Sequence, residues 1–441
     1  MVYQSNEDRN DGSCTSGKLM FDSAFLRDPY PSYRALHASG RIQWSEQFCG
    51  GAWLLTHYSD VAQVLRDPRF SAQRAGGWVN RSGPEARGEL REFKRLFARS
   101  LLFRNGLSHA RLRQVMNAAF RPSALRAVTM RIQSLVDALL QGIERDGTTD
   151  FIHEFARPLP AMVIAEMLGI DAGSRSEFVA WSDDIAAFID SPTPSLEIAH
   201  RAQTALVAMS AYFEDVLAQR RGTSGDDLLS LLLRAKEAGQ IKTHKELLAQ
   251  CCSLLFAGHE TTRNLLGNGL LALLDHPEQW RLLKERPALM PSSVRELLRF
   301  DSPVQYTGRR VLTDVELHGQ RLQRGDLVIL LLAAANRDPA QFSAPDVLDI
   351  TRDEGKHLSF GYGPHVCLGA TLTYLEAEIA FGSLTQRLPD LQLNGATLQW
   401  NGNAVYRGLV ALPVRRAQKV SAQRCPGETA VHDSVLNCLI E

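Results

Sequence analysis

The chain has 441 residues, 44% apolar and 22% charged, and its 49 Lys and Arg balance 49 Asp and Glu. This length allows a substantial core, and zero net charge argues against a nucleic-acid partner because binding phosphates needs a basic surplus. The polar N-terminus lacks the apolar core of a signal peptide, and no apolar run approaches the about 20 residues that span a bilayer. Seven cysteines without metal-ligand spacing suit a reducing compartment. We therefore expect a cytoplasmic protein with no membrane span.

Helical patterns dominate the first part of the chain. A short helix is predicted over residues 22–39, followed by a strand at 53–56 and a helix that Ser59 would cap. Residues 71–106 are rich in Gly, Arg and Ser, which predicts a long irregular loop with a short helix inside it. Helical periodicity returns over residues 109–170.

The middle of the chain is also helical. Two amphipathic helices are predicted over 174–190 and 197–220, and the Pro-rich residues 191–195 between them suit a mobile lid. A further helix is predicted over 226–238. The proline-free run 242–274 predicts a helix far longer than the usual about 11–12 residues.

The last third mixes elements. The predicted elements are a helix over 289–300, strands and turns over 304–332, a Gly-rich segment at 359–369 that leads into a helix ending near 388, and short strands over 390–414. The sequence therefore predicts a mainly α fold with small β-sheets, an α+β class. We expect one domain over 20–414, between a polar segment at 1–19 and a polar tail at 415–441.

The most specific signal is the Gly-rich segment FGYGPHVCLG, Phe360–Gly369. A cysteine placed just before a helix directs its sulfur at free backbone N–H groups, which lower the thiol pKa and favour the thiolate. Phe360 would cover the sulfur, His365 would reach an anion, and Gly369 would let a flat partner approach closely. A turn with a core cysteine explains each part separately, but six specified residues at this spacing are rare by chance.

A polar cluster, AGHETT at Ala257–Thr262, lies in the middle of the long apolar helix. Burying an acid and hydroxyl groups without partners is costly, so their position favours a function over a capping box or a solvated turn. Gly258 removes a side chain, which would open space against a flat cofactor.

These two segments resemble the haem-binding loop and the oxygen-activation helix of the cytochrome P-450 family. The resemblance implies that family's fold, a triangular prism of helices around a buried haem b, with Cys367 as the thiolate ligand of the iron. It also implies that Thr261 positions a water or hydroperoxide while Glu260 relays protons from solvent. His259 and Asn264 would be either functional or structural.

The resemblance assigns His109, Arg113, Arg309 and His365 to the haem propionates. His109 and Arg113 are four residues apart and share a helix face, and Arg310 is the alternative to Arg309. Without the family pattern each of these side chains would be interpreted as a solvated charge. The chain departs from that pattern just before His109, where residues 104–108 replace the family's acidic residue and prolines.

Glu296 and Arg299 lie three residues apart on one predicted helix face. On a generic helix they would form a surface ion pair worth about 0–1 kcal/mol. The resemblance implies instead a buried pair that locks the segment leading to the haem loop, with Arg352 as its third member.

The implied activity is that of a soluble bacterial-type monooxygenase that inserts one oxygen atom of dioxygen into an apolar small molecule, such as a terpenoid, polyketide or fatty acid. This substrate would enter above the haem, beneath the helices of 174–220 and the 71–106 loop. Electrons would come from NAD(P)H through a reductase and a ferredoxin or flavodoxin. A peroxide-driven peroxygenase is one alternative, which the Glu260–Thr261 pair disfavours. A non-enzymatic haem-thiolate sensor or binding protein is another, although no DNA-binding motif accompanies it.

Overall fold

The computed structural model describes residues 21–48, 51–73, 88, 90–170, 173, 175–190, 195–220, 222, 225, 227–395 and 397–417. Four predicted segments lie partly or wholly outside these ranges. They are the N-terminal segment 1–19, residues 74–87 and 89 of the predicted loop, residues 191–194 of the predicted lid, and the tail beyond 417. Within the described ranges, no helix combines the length and the apolar character that crossing a bilayer requires.

Helices make up most of the described chain. In chain order the α-helices are α1 (Ser23–Arg27), α2 (Tyr30–Ser39), α3 (Tyr58–Arg66), α4 (Arg91–Phe97), α5 (Gly106–Asn117), α6 (Pro122–Asp146), α7 (Pro158–Leu168), α8 (Arg175–Asp190), α9 (Leu196–Gln219), α10 (Leu228–Glu237), α11 (His244–Asp275), α12 (Pro277–Glu285), α13 (Met290–Phe300), α14 (Leu332–Ala335) and α15 (Ala370–Arg387). Shorter helical turns are Leu101–Phe103, Ile152–Ala156, Pro287–Leu289 and Gly363–His365.

The strands are short and form small sheets. They are β1 (Ile42–Ser45), β2 (Ala52–Leu55), β3 (Phe70–Ser71), β4 (Thr148–Asp150), β5 (Thr307–Val311), β6 (Val315–Leu317), β7 (Gln320–Leu322), β8 (Leu327–Leu330), β9 (Leu391–Leu393), β10 (Gln399–Trp400), β11 (Leu409–Ala411) and β12 (Pro413–Arg416). β12 runs two residues beyond the end predicted for the last strand.

The largest sheet has the order β1-β2-β8-β5-β3. β2 is buried at all four positions and pairs parallel with β8, with Trp53 opposite Val328. β5 pairs antiparallel with the other side of β8, which places Arg309 opposite Val328 as well. The sheet therefore sets the position of Arg309.

The predicted helices over 174–190, 197–220, 226–238, 242–274 and 289–300 are confirmed to within two residues at each end. The long helix α11 begins where the Thr243 side chain accepts a hydrogen bond from the Glu246 N–H at 3.1 Å. Such side-chain caps satisfy N–H groups that have no partner within the helix.

Two predictions about the first helices are wrong. Residues 22–39 form two helices, because Asp28, which precedes a proline, adopts an extended conformation with φ −144°. Ser59 does not cap α3, because the helix begins one residue earlier. The N–H of Tyr58 instead bonds to the Asp338 carboxylate at 2.8 Å.

Two large apolar clusters meet along α11. The first joins the N-terminal half of α11, up to Phe256, to α4, α5, α8, α9 and α10. The second joins its C-terminal half, from Leu265 onward, to α6, α12, α13 and α15. The polar residues between Phe256 and Leu265 therefore lie where the two cores meet.

Glu296 and Arg299 on α13 form a buried ion pair. Arg299 Nε lies 2.7 Å from Glu296 Oε2, and both side chains are 2% exposed. Arg352 Nε lies 3.2 Å from the other carboxylate oxygen. Arg299 also donates to three backbone carbonyls, those of Asn336, Pro345 and Val347. The three predicted residues therefore lie together in the interior.

The Asn336 side chain extends this network to the Gly-rich segment. Its Nδ2 donates to the hydroxyl groups of Ser302 and Ser359 at 2.8 Å, and its Oδ1 accepts from the Leu358 N–H at 2.6 Å. Arg299 holds the backbone of Asn336, and Asn336 holds the chain directly before Phe360.

Glu296→Gln would leave the buried Arg299 guanidinium without its counter-charge and would leave Arg352 with Glu354 as its remaining carboxylate partner. We expect it to lower the free energy of unfolding by about 3–5 kcal/mol, the usual cost of breaking a buried ion pair. Arg281→Gln is the matched control, because its pair with Glu285 is 71% and 63% exposed, and its loss should cost about 0–1 kcal/mol. Equilibrium denaturation followed by circular dichroism measures both values, and equal values would contradict a buried lock.

Candidate active site

Nearly all the residues predicted for catalysis or cofactor binding line one cavity of about 290 Å³. Nine of those ten residues line it: His109, Arg113, Gly258, Thr261, Arg309, Phe360, His365, Cys367 and Gly369. Much of the remaining wall is apolar, including Leu101, Phe256, Leu298 and Val304. The tenth predicted residue, Glu260, is not among the lining residues.

Cys367 is exposed to this cavity and lies just before α15. The backbone N–H groups of Gly369 and Ala370 bond to its sulfur, and its own N–H donates to the Phe360 carbonyl at 2.9 Å. This is the arrangement predicted from the sequence, a sulfur at the N–H end of a helix.

The prediction of a lowered thiol pKa is wrong. Burial among protein atoms raises the pKa of Cys367 and outweighs the Gly369 and Ala370 N–H groups and the Arg113 charge, each of which lowers it. The Cys367 sulfur borders the cavity, but the protein atoms around its other sides still remove most of the water that would stabilise a thiolate. The N–H groups at the start of α15 lower the pKa of the Cys367 thiol, but they do not offset the effect of burial.

Gly363 gives the cysteine loop its shape. Its φ is +75°, and a Cβ there would lie 2.9 Å from Arg66 Cγ and 3.1 Å from the Leu65 carbonyl oxygen. The loop can therefore pack against the end of α3 only if this residue is glycine. A Cβ at Gly369 would meet no atom within 4 Å, so open space lies beside that residue.

Gly258 does not open the space expected of it. A Cβ at this position would point at Ile164 of α7, with the nearest side-chain carbon 3.4 Å away. A Cβ here would make ordinary van der Waals contact with Ile164, so the missing side chain faces α7 and not the cavity. The expectation that Gly258 makes room for a flat cofactor is therefore wrong in direction, although the residue still lines the cavity.

Four nitrogen-bearing side chains line the cavity together. His109 and Arg113 come from α5, Arg309 from β5 and His365 from the cysteine loop. The His109 and His365 rings lie 4.1 Å apart, and Arg113 Nη1 donates to the Val366 carbonyl at 2.6 Å. Burial, and then Arg113, lower the pKa of His109.

The unusual residues before His109 have a local role. Asn105 Oδ1 accepts from the Ala72 N–H at 3.3 Å, and the Ser108 hydroxyl donates to the Asn105 carbonyl at 2.9 Å. Asn105 thus ties the start of α5 to the end of β3. This contact positions the helix that carries His109 and Arg113.

Thr261 and Glu260 face opposite ways. The Thr261 hydroxyl donates to the Ala257 carbonyl at 3.3 Å, on the cavity side of α11. The Glu260 carboxylate accepts from Asn264 at 3.2 Å and lies 3.1 Å from Arg263 Nη1. Residues three and four apart share a helix face, so Glu260 belongs to a polar face behind the cavity wall.

Sequence reasoning missed Glu376, which also lines the cavity. It is buried on α15, and its Oε2 has no hydrogen-bond partner among the described residues. Burial raises its pKa from 4.5 to about 8. Helical spacing would have found it, because Gly369, Leu372, Thr373 and Glu376 follow the i, i+3, i+4, i+7 pattern of one face.

Comparison with known proteins agrees with this geometry. The profile described as Cytochrome P450 matches residues 52–389. The chain belongs to the cytochrome P450 family. Its predicted identity as a bacterial-type P450 monooxygenase and its predicted fold of helices with small β-sheets are confirmed.

Similar P450 proteins come from several bacteria. Cytochrome P450 CYP107DY1 of Priestia megaterium is 38% identical over 372 residues, which cover 83% of this chain and 90% of that protein. The monooxygenase PikC of Streptomyces venezuelae is 38% identical over 412 residues, 91% of this chain and 94% of that protein. The solved structure of P450BioI with a fatty-acid-bearing acyl carrier protein has a TM-score of 0.83 at 35% identity, covering 90% of this chain and 100% of that one.

The raised pKa of Glu376 predicts a pH dependence of stability. The folded protein keeps a proton that the unfolded chain releases above its ordinary pKa of 4.5. The free energy of unfolding should therefore fall as pH rises from about 4.5 to 8, by up to about 1.4 kcal/mol per pH unit.

Glu376→Gln keeps the neutral shape and should remove that slope, so that the variant is more stable than the wild type near pH 8. Urea denaturation of the haem-loaded protein at a series of pH values measures the effect. Glu285→Gln, at an exposed site, should retain the wild-type slope. Parallel curves for wild type and Glu376→Gln would refute the prediction.

Proposed function

We propose that this cytochrome P450 holds haem b through the Cys367 sulfur and oxidises an apolar small molecule, by hydroxylation or a related reaction, with one oxygen atom of dioxygen. The observation that carries the proposal is the position of the Cys367 sulfur. It accepts hydrogen bonds from two backbone N–H groups and faces a cavity lined by two arginines and two histidines. A soft sulfur ligand, an apolar wall and cationic groups fit an iron porphyrin with two carboxylates.

When bound, the haem supplies the binding and activation of dioxygen, which no side chain can provide. Arg113 and Arg309 would bind the propionates by charge, with His109 and His365 as hydrogen-bond donors. Coordination to a metal deprotonates a thiol, which would overcome the burial that raises the pKa of Cys367. Phe360 would shield one side of the sulfur from water.

Thr261 and Glu260 would share the supply of protons. The Thr261 hydroxyl faces the cavity, where it would hydrogen-bond a water beside the reacting oxygen. Glu260 lies next to it on α11 but reaches the polar face behind the wall, in contact with Arg263 and Asn264. Thr261 would therefore position the proton, and Glu260 would replace it from solvent.

The apolar cavity wall and the relatives support a hydrophobic substrate such as a terpenoid, polyketide or fatty acid. Relatives include PikC, a Vitamin D(3) 25-hydroxylase of Pseudonocardia autotrophica and P450BioI, solved with a fatty acid on acyl carrier protein. We also propose that electrons come from NAD(P)H through a reductase and a ferredoxin or flavodoxin, in the cytoplasm. The described cysteines are free thiols, which suits that compartment.

Cys367→Ser tests the thiolate assignment. The reduced carbon monoxide complex of the wild type should show the strongly red-shifted Soret band of thiolate-ligated haem, and the variant should lose it. Cys252→Ala, which removes a buried cysteine of α11 outside the cavity lining, should retain the band. Survival of the band in Cys367→Ser would refute the assignment.

Thr261→Ala tests the proton role. The substrate is a fatty acid, steroid or macrolactone selected by the spin-state change it causes. The share of NAD(P)H electrons found in product should fall by about a hundredfold, the low end for proton-transfer groups. Those electrons should appear as hydrogen peroxide, while ligand affinity stays unchanged.

Thr129→Ala is the matched control, because the Thr129 hydroxyl donates to the Leu125 carbonyl of its own helix at 3.0 Å and Thr129 is not among the cavity-lining residues. It should leave coupling as in the wild type. Unchanged coupling in Thr261→Ala would remove Thr261 from the mechanism and would favour the peroxide-driven alternative.

A further inference from the structure

Behind the cavity wall, α11 and α8 enclose a cluster of charged side chains. Ligand-type atoms of Asp183, His259 and Glu260 lie within 4.8 Å of one another. Arg157 donates to Asp183 Oδ2 at 2.7 Å. Arg263 Nη1 lies 3.1 Å from Glu260 Oε2 and 3.9 Å from Asp183 Oδ1.

The hydrogen on the His259 ring can be assigned from its surroundings. The side chain is 2% exposed, and Nε2 lies 3.2 Å from the Arg157 carbonyl oxygen. A carbonyl oxygen only accepts, so Nε2 carries the hydrogen of the neutral ring and Nδ1 is an acceptor. Burial lowers the pKa of His259, with Arg263 acting in the same direction and Glu260 and Asp183 opposing it.

His259 Nδ1 and Asp183 Oδ1 therefore face each other as two acceptors. They are 4.0 Å apart, too far for a direct hydrogen bond, and neither has a hydrogen-bond partner among the described residues. Leaving two buried acceptors unsatisfied is costly. Something that donates hydrogens, or a cation, must lie between them.

Charge balance favours a water molecule over a metal ion. The carboxylates of Asp183 and Glu260 already face the guanidinium groups of Arg157 and Arg263. A divalent ion would add positive charge beside Arg263 in a partly buried site. One water can donate a hydrogen to each acceptor without changing the charge.

Asp183 is the most exposed member of the cluster, and the two members on α11 are buried. The side chain of Asp183 is 32% exposed, that of Glu260 8% and that of His259 2%. We propose that Asp183 and His259, bridged by a water, form the solvent end of the path by which protons reach Glu260. This inference rests on the proposed function.

The transfer needs no other reactant. A proton from solvent adds to the Asp183 carboxylate and passes through the bridging water to His259 Nδ1, which forms a transient imidazolium. The imidazolium returns to neutral when Nδ1 passes its proton, again through water, to the Glu260 carboxylate, whose ligand-type atom lies within 4.8 Å, and Asp183 is again ionised. Asp183 and His259 are thus positioning residues that act through Glu260.

The first test detects the pair directly, by nitrogen-15 NMR of the histidine rings in the diamagnetic, haem-loaded carbon monoxide form. His259→Gln assigns the His259 signal among the 12 histidines. We expect a neutral ring with its hydrogen on Nε2, and an Nδ1 signal that shifts in Asp183→Asn.

Asp184→Asn is the control, because Asp184 is the next residue on α8, is also 32% exposed and pairs instead with Arg201. It should leave the His259 signal in place. A hydrogen on Nδ1, or no shift in Asp183→Asn, would overturn the inference. So would a shift of the signal on adding Zn²⁺, since that would show a cation site.

The second test measures proton supply during turnover with saturating reduced ferredoxin. Oxygen consumption by Asp183→Asn and His259→Gln should fall about tenfold, and its solvent deuterium isotope effect should rise about twofold, because proton transfer becomes limiting. Asp184→Asn should match the wild type. Guaiacol oxidation driven by peroxide, which takes no protons along this path, should be equal in all four proteins.

The outcomes separate the two proposals. Loss of the thiolate band from the wild-type protein would refute the proposed function itself. An intact band, with Asp183→Asn and His259→Gln showing the wild-type isotope effect, would refute only the proton path. A purely structural role for His259 would lower stability without moving the isotope effect, and that result would also overturn the inference.

Discussion

The buried guanidinium of Arg299 is the constraint on which the position of Cys367 depends. Its N–H groups make five hydrogen bonds, two to Glu296 and three to backbone carbonyls of the segment 336–347. A charge removed from water needs such complete pairing. The same segment carries Asn336, whose side chain binds the chain before Phe360, and the Phe360 carbonyl binds the Cys367 N–H. An ion pair outside the cavity lining thus fixes the backbone that carries the Cys367 sulfur.

The long helix α11 separates two environments because its polar residues divide between two faces. Gly258, Thr261 and Thr262 line the cavity, whereas His259 and Glu260 face the charged cluster with α8. Each residue advances about 100° around the helix axis, so adjacent residues can lie on different faces of α11. The helix therefore lies between a partly solvated cluster and a largely apolar cavity.

The site was predictable to the extent that it is local in sequence. Cys367 and His365 lie in one short loop, and the helix start and the glycine turns around them are coded within ten residues. His109 and Arg113 share a helix face, so a correct prediction of this helix is enough to place both side chains on the same side of it. Arg309 lies at the cavity through the pairing of β5 with β8, and the sequence assigned this residue to the site only through the family resemblance.

Other features depend on contacts between distant segments and could not be predicted. A Cβ at Gly258 would contact Ile164 of a different helix. The group that faces His259 Nδ1 is likewise the carboxylate of Asp183, on another helix. The pKa of Cys367 depends on how much protein surrounds the sulfur, which no local pattern encodes.

The amino-acid sequence alone determined the long helices, the family and the residues of the cysteine loop, because periodicity, caps and glycine turns act over a few neighbouring residues. Only the tertiary structure decided that Glu260 turns away from the cavity that Thr261 faces, and that Glu376 is buried beside this cavity with its Oε2 unpaired among the described residues. The physical reason is that burial and partner choice are properties of packed segments, whose separation along the chain carries no information about their separation in space.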